Sequence, residues 1–163
     1  MKIIVLSDTH GRADRVREAL SRHVSYDALL FSGDGLRDMA DIAGCIAVKG
    51  NCDSFFFSDS VPSEQVLAFD GVRILLTHGH EYFVKSGLER LVARADELGA
   101  DLAVFGHTHE MCEKYIPEGT QIGGVRVKKP MYLFNAGSLA SAEGSFGVIE
   151  IRNAQILLSH GML

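Results

Sequence analysis

The sequence predicts a mixed α/β domain in which two β-sheets pack face to face with helices outside. Three observations carry this. Six short apolar runs, rich in β-branched residues, each end abruptly in glycine together with Asp, His or Asn. Amphipathic helical stripes lie between some of them. Hairpin signals crowd the second half of the chain.

The apolar runs read IIVLSDTHG (3–11), ALLFSGDG (28–35), IAVKGNCD (46–53), ILLTHGH (74–80), LAVFGHTH (102–109) and YLFNAGS (132–138). Four or five apolar residues bounded by turn formers are the pattern of strands buried on both faces. Residues 12–23 place Val16, Ala19, Leu20 and His23 on one stripe with Arg15, Arg17 and Arg22 turned away. Residues 85–98 do the same with Leu88, Leu91, Val92, Ala95 and Leu98, and Gly99 supplies a stop. Asp70-Gly71 between 66–69 and 72–76 predicts a hairpin, and so does Arg152-Asn153-Ala154 between 147–151 and 155–158.

A chain of 163 residues buries about 70% of its unfolded surface without staples. Its three cysteines, Cys45, Cys52 and Cys112, are odd in number and lack CxxC spacing. That argues against a disulfide framework or a zinc ribbon and leads us to expect a reducing, cytoplasmic setting. With 16 basic and 21 acidic side chains the formal charge is −5, and no basic run is present. A nucleic-acid-binding patch is therefore not expected. No apolar stretch approaches the roughly 20 residues of a membrane span, and 3–6 is too short for a signal-peptide core.

In layered α/β folds ligands gather beyond the carboxyl ends of strands, where loops distant in sequence converge. Five of the six endings carry metal-capable side chains: Asp8 and His10, Asp34, Asn51, His78 and His80, and His107 and His109. The pairs Asp8-x-His10, His78-x-His80 and His107-x-His109 are spaced i, i+2, which puts both members on one face of a continuing strand. Glycines at 11, 33, 50, 79 and 106 leave room beside these residues and permit backbone angles that others resist. The set exceeds the four ligands of one tetrahedral zinc and suits two ions, with Asp34 able to bridge them. Mixed nitrogen and oxygen donors favour Mn, Fe, Co, Ni or Zn over Ca. Taken singly, each element has a plainer reading: Asp8 as the cap of a helix starting near Arg12, Asp34 and Asn51 as turn residues. Their conjunction at successive strand ends points to one site.

In this order the motifs Asp8-x-His10, Gly33-Asp34, Gly50-Asn51-x-Asp53, His78-Gly79-His80 and Gly106-His107-Thr108-His109 resemble the signature of the calcineurin-like metallophosphoesterases. The forms Gly50-Asn51-Cys52-Asp53 and Thr77-His78-Gly79-His80, with Asn135-x-Gly137-Ser138 before a closing hairpin, resemble its small single-domain prokaryotic phosphodiesterase branch. The resemblance covers essentially the whole chain, so 1–163 is read as one metallophosphoesterase domain.

That resemblance implies a four-layer αββα sandwich of two mixed β-sheets flanked by helices, carrying two divalent transition-metal ions, with Mn²⁺ expected first. Asp8, His10, Asp34 and His109 would hold one ion; Asp34, Asn51, His78 and His107 would hold the other. It implies hydrolysis of small soluble, nucleotide-like phosphodiesters by a hydroxide between the metals. Asn51 and His80 would stabilise charge on the phosphoryl oxygens. Many members have a leaving-group acid, His, after the metal-binding Asn. Here Cys52 stands in its place and reads as a small packed residue. His80 is the substitute candidate, with hydrogen bonding to a metal ligand as its other reading. Ala136 replaces the proline of the family's Asn-Pro-Gly-Ser.

Other classes weighed are a phosphomonoesterase and a non-catalytic, protein-binding scaffold like the eukaryotic retromer subunit that this fold resembles. The complete donor set argues against the scaffold. The Phe55-Phe56-Phe57 cluster reads as a cleft wall or a homo-oligomer contact ahead of core. His23 and His160 read as surface or helix-end residues, and Arg12 as solvated.

Overall fold

The computed structural model describes residues 1–53 and 60–163; the Phe55 to Phe57 cluster lies outside the described residues. Twelve strands and two α-helices are among them: β1 (Lys2–Leu6), α1 (Ala13–Ser21), β2 (Ala28–Phe31), β3 (Cys45–Ala47), β4 (Glu64–Phe69), β5 (Val72–Thr77), α2 (Glu89–Glu97), β6 (Leu102–Phe105), β7 (Met111–Ile116), β8 (Gln121–Ile122), β9 (Val125–Arg126), β10 (Met131–Ala136), β11 (Ser145–Arg152) and β12 (Gln155–Met162). They form two five-stranded sheets, ordered β12-β11-β1-β2-β3 and β4-β5-β6-β10-β7, and a separate β8-β9 hairpin.

The apolar runs divide their side chains between two faces, as alternation along a strand requires. Ile3, Val5, Leu30 and Ile149 meet Ile74, Leu76, Leu102, Val104 and Phe134 in a core between the sheets. On the outer face of the first sheet Ile4, Leu6, Leu29 and Phe31 pack on Val16 and Ala19 of α1. On the outer face of the second, Leu75, Ala103, Phe105 and Leu133 pack on Leu91, Val92 and Ala95 of α2. Each central strand is thus apolar on both sides, and the layers run helix, sheet, sheet, helix. The expected four-layer sandwich is the observed one.

Parallel pairing aligns the strand ends that carry the motifs. β1 runs parallel to β2 with Leu6 opposite Phe31, and β2 parallel to β3 with Phe31 opposite Ala47. In the other sheet β5, β6 and β10 run parallel, with Leu76 opposite Val104 and Asn135 opposite Phe105. All six motif-bearing loops therefore leave the parallel strands at their carboxyl ends.

Some elements differ from the sequence reading. α1 begins at Ala13 after an N-terminal residue, Arg12, that has no side-chain capping bond, so Asp8 does not cap it. α2 starts at Glu89, four residues later than the stripe suggests, because 80–88 are turns broken by Phe83 at φ 55° and Gly87 at φ 152°. Gly99 does stop α2: at φ 63° its N–H donates to Asp96 O at 3.1 Å. β7 was not expected. Its Met-Cys-Glu-Lys-Tyr-Ile pattern is mostly exposed, as suits an edge strand, and it is held by pairing with β10 from Met131 to Ala136. β3, also at an edge, is only half-buried. The Asp70-Gly71 hairpin is as expected, with both residues at positive φ (47° and 81°).

Leu76 is fully buried in the core between the sheets. Leu76→Ala should cost about 2–5 kcal/mol, read as a lower urea midpoint with unchanged m-value.

Candidate metal centre

The loops after β1 and β2 are zipped together before any side chain is considered. Asp8 N–H donates to Gly33 O at 2.9 Å and Thr9 N–H to Asp34 O at 2.9 Å. Five of the candidate ligands hold left-handed backbone angles: Asp8 (52°), His10 (43°), Asp34 (61°), His107 (67°) and His109 (63°). Each costs roughly 1–3 kcal/mol for a non-glycine residue, and such strain is retained where surrounding contacts over-determine it.

Those contacts are specific. Asp53 accepts four backbone N–H bonds, from Asp34 at 2.8 Å and from Gly35, Leu36 and Gly50 at 2.9 Å. Asp38 accepts from Thr9 Oγ1 at 2.5 Å and from Gly11 N at 2.8 Å. The buried Asn135 amide donates to Gly106 O at 2.9 Å and to Thr108 Oγ1 at 3.0 Å, fixing the loop between His107 and His109. Ser138 Oγ donates to Asp8 O at 2.8 Å. Space matters as much as backbone freedom. Gly50 and Gly106 are not at positive φ, but a Cβ at Gly50 would lie 2.1 Å from Asp34 Oδ1 and one at Gly106 2.2 Å from Ser7 Oγ.

The predicted donors converge in two groups. Asp8, His10 and His109 place one donor atom each within 4.8 Å of one another, and so do Asp34, His78 and His107. A third grouping joins His10 and Asp34 with Cys52. His109 Nε2 is 3.1 Å from Asp8 Oδ1 and 3.2 Å from His10 Nε2, while His10 Nε2 is 3.9 Å from Asp34 Oδ2. His78 Nδ1 must donate to Ser32 O, 2.8 Å away, because a carbonyl only accepts. Its Nε2 faces Asp34 Oδ2 at 3.4 Å and Asn51 Oδ1 at 3.2 Å, and against burial, which lowers it, the bond and charge of Asp34 raise the pKa of His78. Asp34 thus stands between the two histidine pairs, its other oxygen accepting Cys52 N–H at 2.8 Å.

The titration shifts follow from this crowding. Burial would raise Asp34, but the bond and charge of His78 and the Cys52 N–H outweigh it and hold the carboxyl below its ordinary range. For Asp8 burial prevails over His78, Ser7 and His109, and the pKa is raised. Burial, then His78 and Lys85, lowers His107 to about 4, so its imidazole is neutral and able to ligate at pH 7.

Two observations test whether divalent ions fit. Asp8 Oδ1 is buried and accepts no hydrogen bond among the described residues, although two imidazole nitrogens face it. Left so, a buried carboxylate oxygen is costly, and a cation would satisfy it. The donors are also chemically apt: carboxylate and amide oxygens with imidazole nitrogens. The residues fit.

His80 joins neither group. Half-buried, with ring centroid 5.3 Å from that of His78 and 6.1 Å from that of His107, it stands beside the second group. Burial, then His78, lowers its pKa. Cys52 is exposed rather than packed; partial desolvation of its sulfur, with the bond to and charge of Asp34, pushes the thiol up to about 11. Arg12, read as solvated, is partly exposed and pairs with Asp14 at 2.9 Å. His23 and His160 are half-buried: His23 Nδ1 lies 3.2 Å from Lys2 Nζ, and His160 Nε2 donates to Asn135 O at 2.8 Å. The holding roles of Asp53 and Asp38 were missed. Asp53 had a signal in its place within Gly50-Asn51-x-Asp53; Asp38 had none.

Asp53→Asn puts an amide N–H against backbone donors. It should destabilise the fold by about 1–3 kcal/mol and weaken Mn²⁺ binding about tenfold or more, read by thermal melts and titration calorimetry.

Comparisons with known proteins give the family. The profile of the calcineurin-like phosphoesterase superfamily domain matches residues 1–161. The chain is 32% identical over 142 residues to the probable metallophosphoesterase YsnB of Bacillus subtilis, covering 85% of this chain and 75% of that protein. A predicted phosphoesterase from Streptococcus pneumoniae superposes with TM-score 0.75 at 26% identity, covering 99% of this chain and 88% of the other. Vps29 from Entamoeba histolytica, solved with Zn²⁺, shares the fold with TM-score 0.71 at 19% identity, covering 99% of both chains. A family profile spanning nearly the whole length, together with the likeness to YsnB, establishes that the chain belongs to the calcineurin-like phosphoesterase superfamily.

Proposed function

We propose that the protein is a dinuclear metal-dependent phosphodiesterase acting on small, nucleotide-like phosphodiesters. The observation that carries this reading is the pair of donor groups meeting at Asp34. In the proposal Asp8, His10, Asp34 and His109 hold one divalent ion and Asp34, Asn51, His78 and His107 the other, with Mn²⁺ favoured. Two such ions supply, when bound, Lewis acidity toward phosphoryl oxygens and activation of water at neutral pH.

The chain's own residues do the rest. His78, fixed by its bond to Ser32 O, presents one tautomer. Asn51 offers its amide beside His78, and His80 supplies a hydrogen bond to a phosphoryl oxygen as negative charge grows there. Asp8, Asp34, Asp38 and Asp53 are four carboxylates at the site, which two divalent ions would offset. With a thiol near 11 at position 52 in place of an imidazole, the leaving group receives little acid help. Esters of acidic alcohols or phenols are the substrates favoured.

The test is hydrolysis of bis(p-nitrophenyl) phosphate beside p-nitrophenyl phosphate. We expect diester activity that chelator abolishes and Mn²⁺ restores, a lower rate on the monoester, and loss of about 10³-fold or more in kcat for Asp34→Asn. No activity with any transition metal would favour a scaffold role instead.

A further inference from the structure

His80 lacks the device that fixes its neighbour. His78 is oriented by Nδ1–H donating to Ser32 O, whereas His80 Nδ1 is buried with no hydrogen-bond partner among the described residues. The direction of the His80 ring must therefore come from the turn that carries it. That turn is a single 3-10 turn, His80–Tyr82, entered through Gly79 at φ 98° and left through Phe83 at φ 55°. Phe83 is a bulky residue in a left-handed conformation and is 57% exposed, so core burial of its ring does not explain the strain. The backbone bonds inside the turn, Tyr82 N–H to Gly79 O at 3.0 Å and Phe83 N–H to His80 O at 3.1 Å, fix its shape but not its place.

Its place is fixed from α2. The Arg90 guanidinium lies over the Phe83 ring, 4.4 Å from the centroid. One helical turn on, Arg94 donates from Nη2 to Glu64 Oε1 and from Nε to Glu64 Oε2 at 3.3 Å, while Nη1 is braced by Glu97 at 2.8 Å. Glu64 Oε2 accepts the hydroxyl of Tyr82. Arginines four apart share a helix face, so a single face of α2 holds the last residue of the turn and the residue that follows it. Glu64 is also the first residue of β4, opposite Thr77, the residue just before His78. The clamp thus ties the strand arriving from the Asn51 side to the loop that carries His78 and His80.

We infer that Tyr82, Glu64, Arg94 and the Arg90–Phe83 pair form a clamp that positions His80 toward the phosphoryl group. The inference rests on the proposed phosphoesterase reading for what His80 does there. These five members are positioning residues. Because the clamp acts through His80, removing it changes the chemical step and not the metals.

A double-mutant cycle in the Mn²⁺-loaded full chain, with bis(p-nitrophenyl) phosphate as probe, tests this. Tyr82→Phe deletes one hydroxyl. We expect kcat to fall about tenfold with KM and bound Mn²⁺ unchanged, and no further fall when the same change is made in His80→Ala. Glu64→Gln should reproduce Tyr82→Phe, and Arg94→Lys, which keeps the charge without the fork, should recover part of the rate. A wild-type kcat in Tyr82→Phe, or an equal fall in both backgrounds, would overturn the clamp. Wild-type inactivity would instead overturn the phosphodiesterase reading. The clamp is then decided by nitrogen NMR of the histidine rings, where Tyr82→Phe should shift the His80 signals and leave His160 in place; unmoved His80 signals would refute it.

Discussion

A buried carboxylate shared between two pairs of imidazoles is the constraint on which the other features of this molecule depend. Asp34 sits within reach of His10 on one side and His78 on the other. Without compensating positive charge, two buried carboxylates this close together are unfavourable, because they repel one another. This arrangement needs a framework that holds each group against relaxation. That framework is the parallel ends of β1, β2 and β3 in one sheet and of β5, β6 and β10 in the other, brought to a common edge by the core between the sheets.

The framework is completed by polar groups with no chemistry of their own. Asp53 gathers four N–H groups around the Asp34 loop, Asp38 fastens the loop after Asp8, and Asn135 and Ser138 tie β10 to the His107 and Asp8 loops. These ties hold the loops in which Asp8, His10, Asp34, His107 and His109 keep left-handed backbone angles. The packing energy of the sandwich is in this way spent on geometry at one edge. Removal of any of these ties should be felt at the metal site before it is felt in the core, because the apolar layers do not run through them.

Much of this was legible in the sequence, and the reasons are physical. Strands buried on both faces leave runs such as 74–77 that nothing else explains, and ligands must follow such strands because the loops there converge. Asp34 and the strand-end histidines stand out in the sequence, and the structure gathers the donors of His10, His78, His107 and His109 around Asp8 and Asp34; the strands stop before the i, i+2 pairs, however, so His107 and His109 fall in different groups and His80 in neither. What was not legible depends on contacts between distant residues. β7 is an edge strand whose mostly exposed face has no apolar signal. The late start of α2 follows from Phe83 and Gly87, whose backbone angles no local pattern announces. Gly50 and Gly106 are small because Asp34 and Ser7 occupy the space, a reason invisible from their neighbours in sequence. Cys52 was read as packed, yet it stands exposed at the rim beside Asp34. Arg94 and Glu64 carry no signal in the sequence, and only the tertiary structure brings them to Tyr82.

The two-ion reading makes one claim from which the others follow: Asp34 is the bridge. Crystals grown with Mn²⁺ and measured at the manganese absorption edge test it directly. Two anomalous peaks about 3.5–4 Å apart on either side of the Asp34 carboxylate, one near Asp8, His10 and His109 and one near Asn51, His78 and His107, are the result expected. A single peak, or peaks away from Asp34, would contradict it.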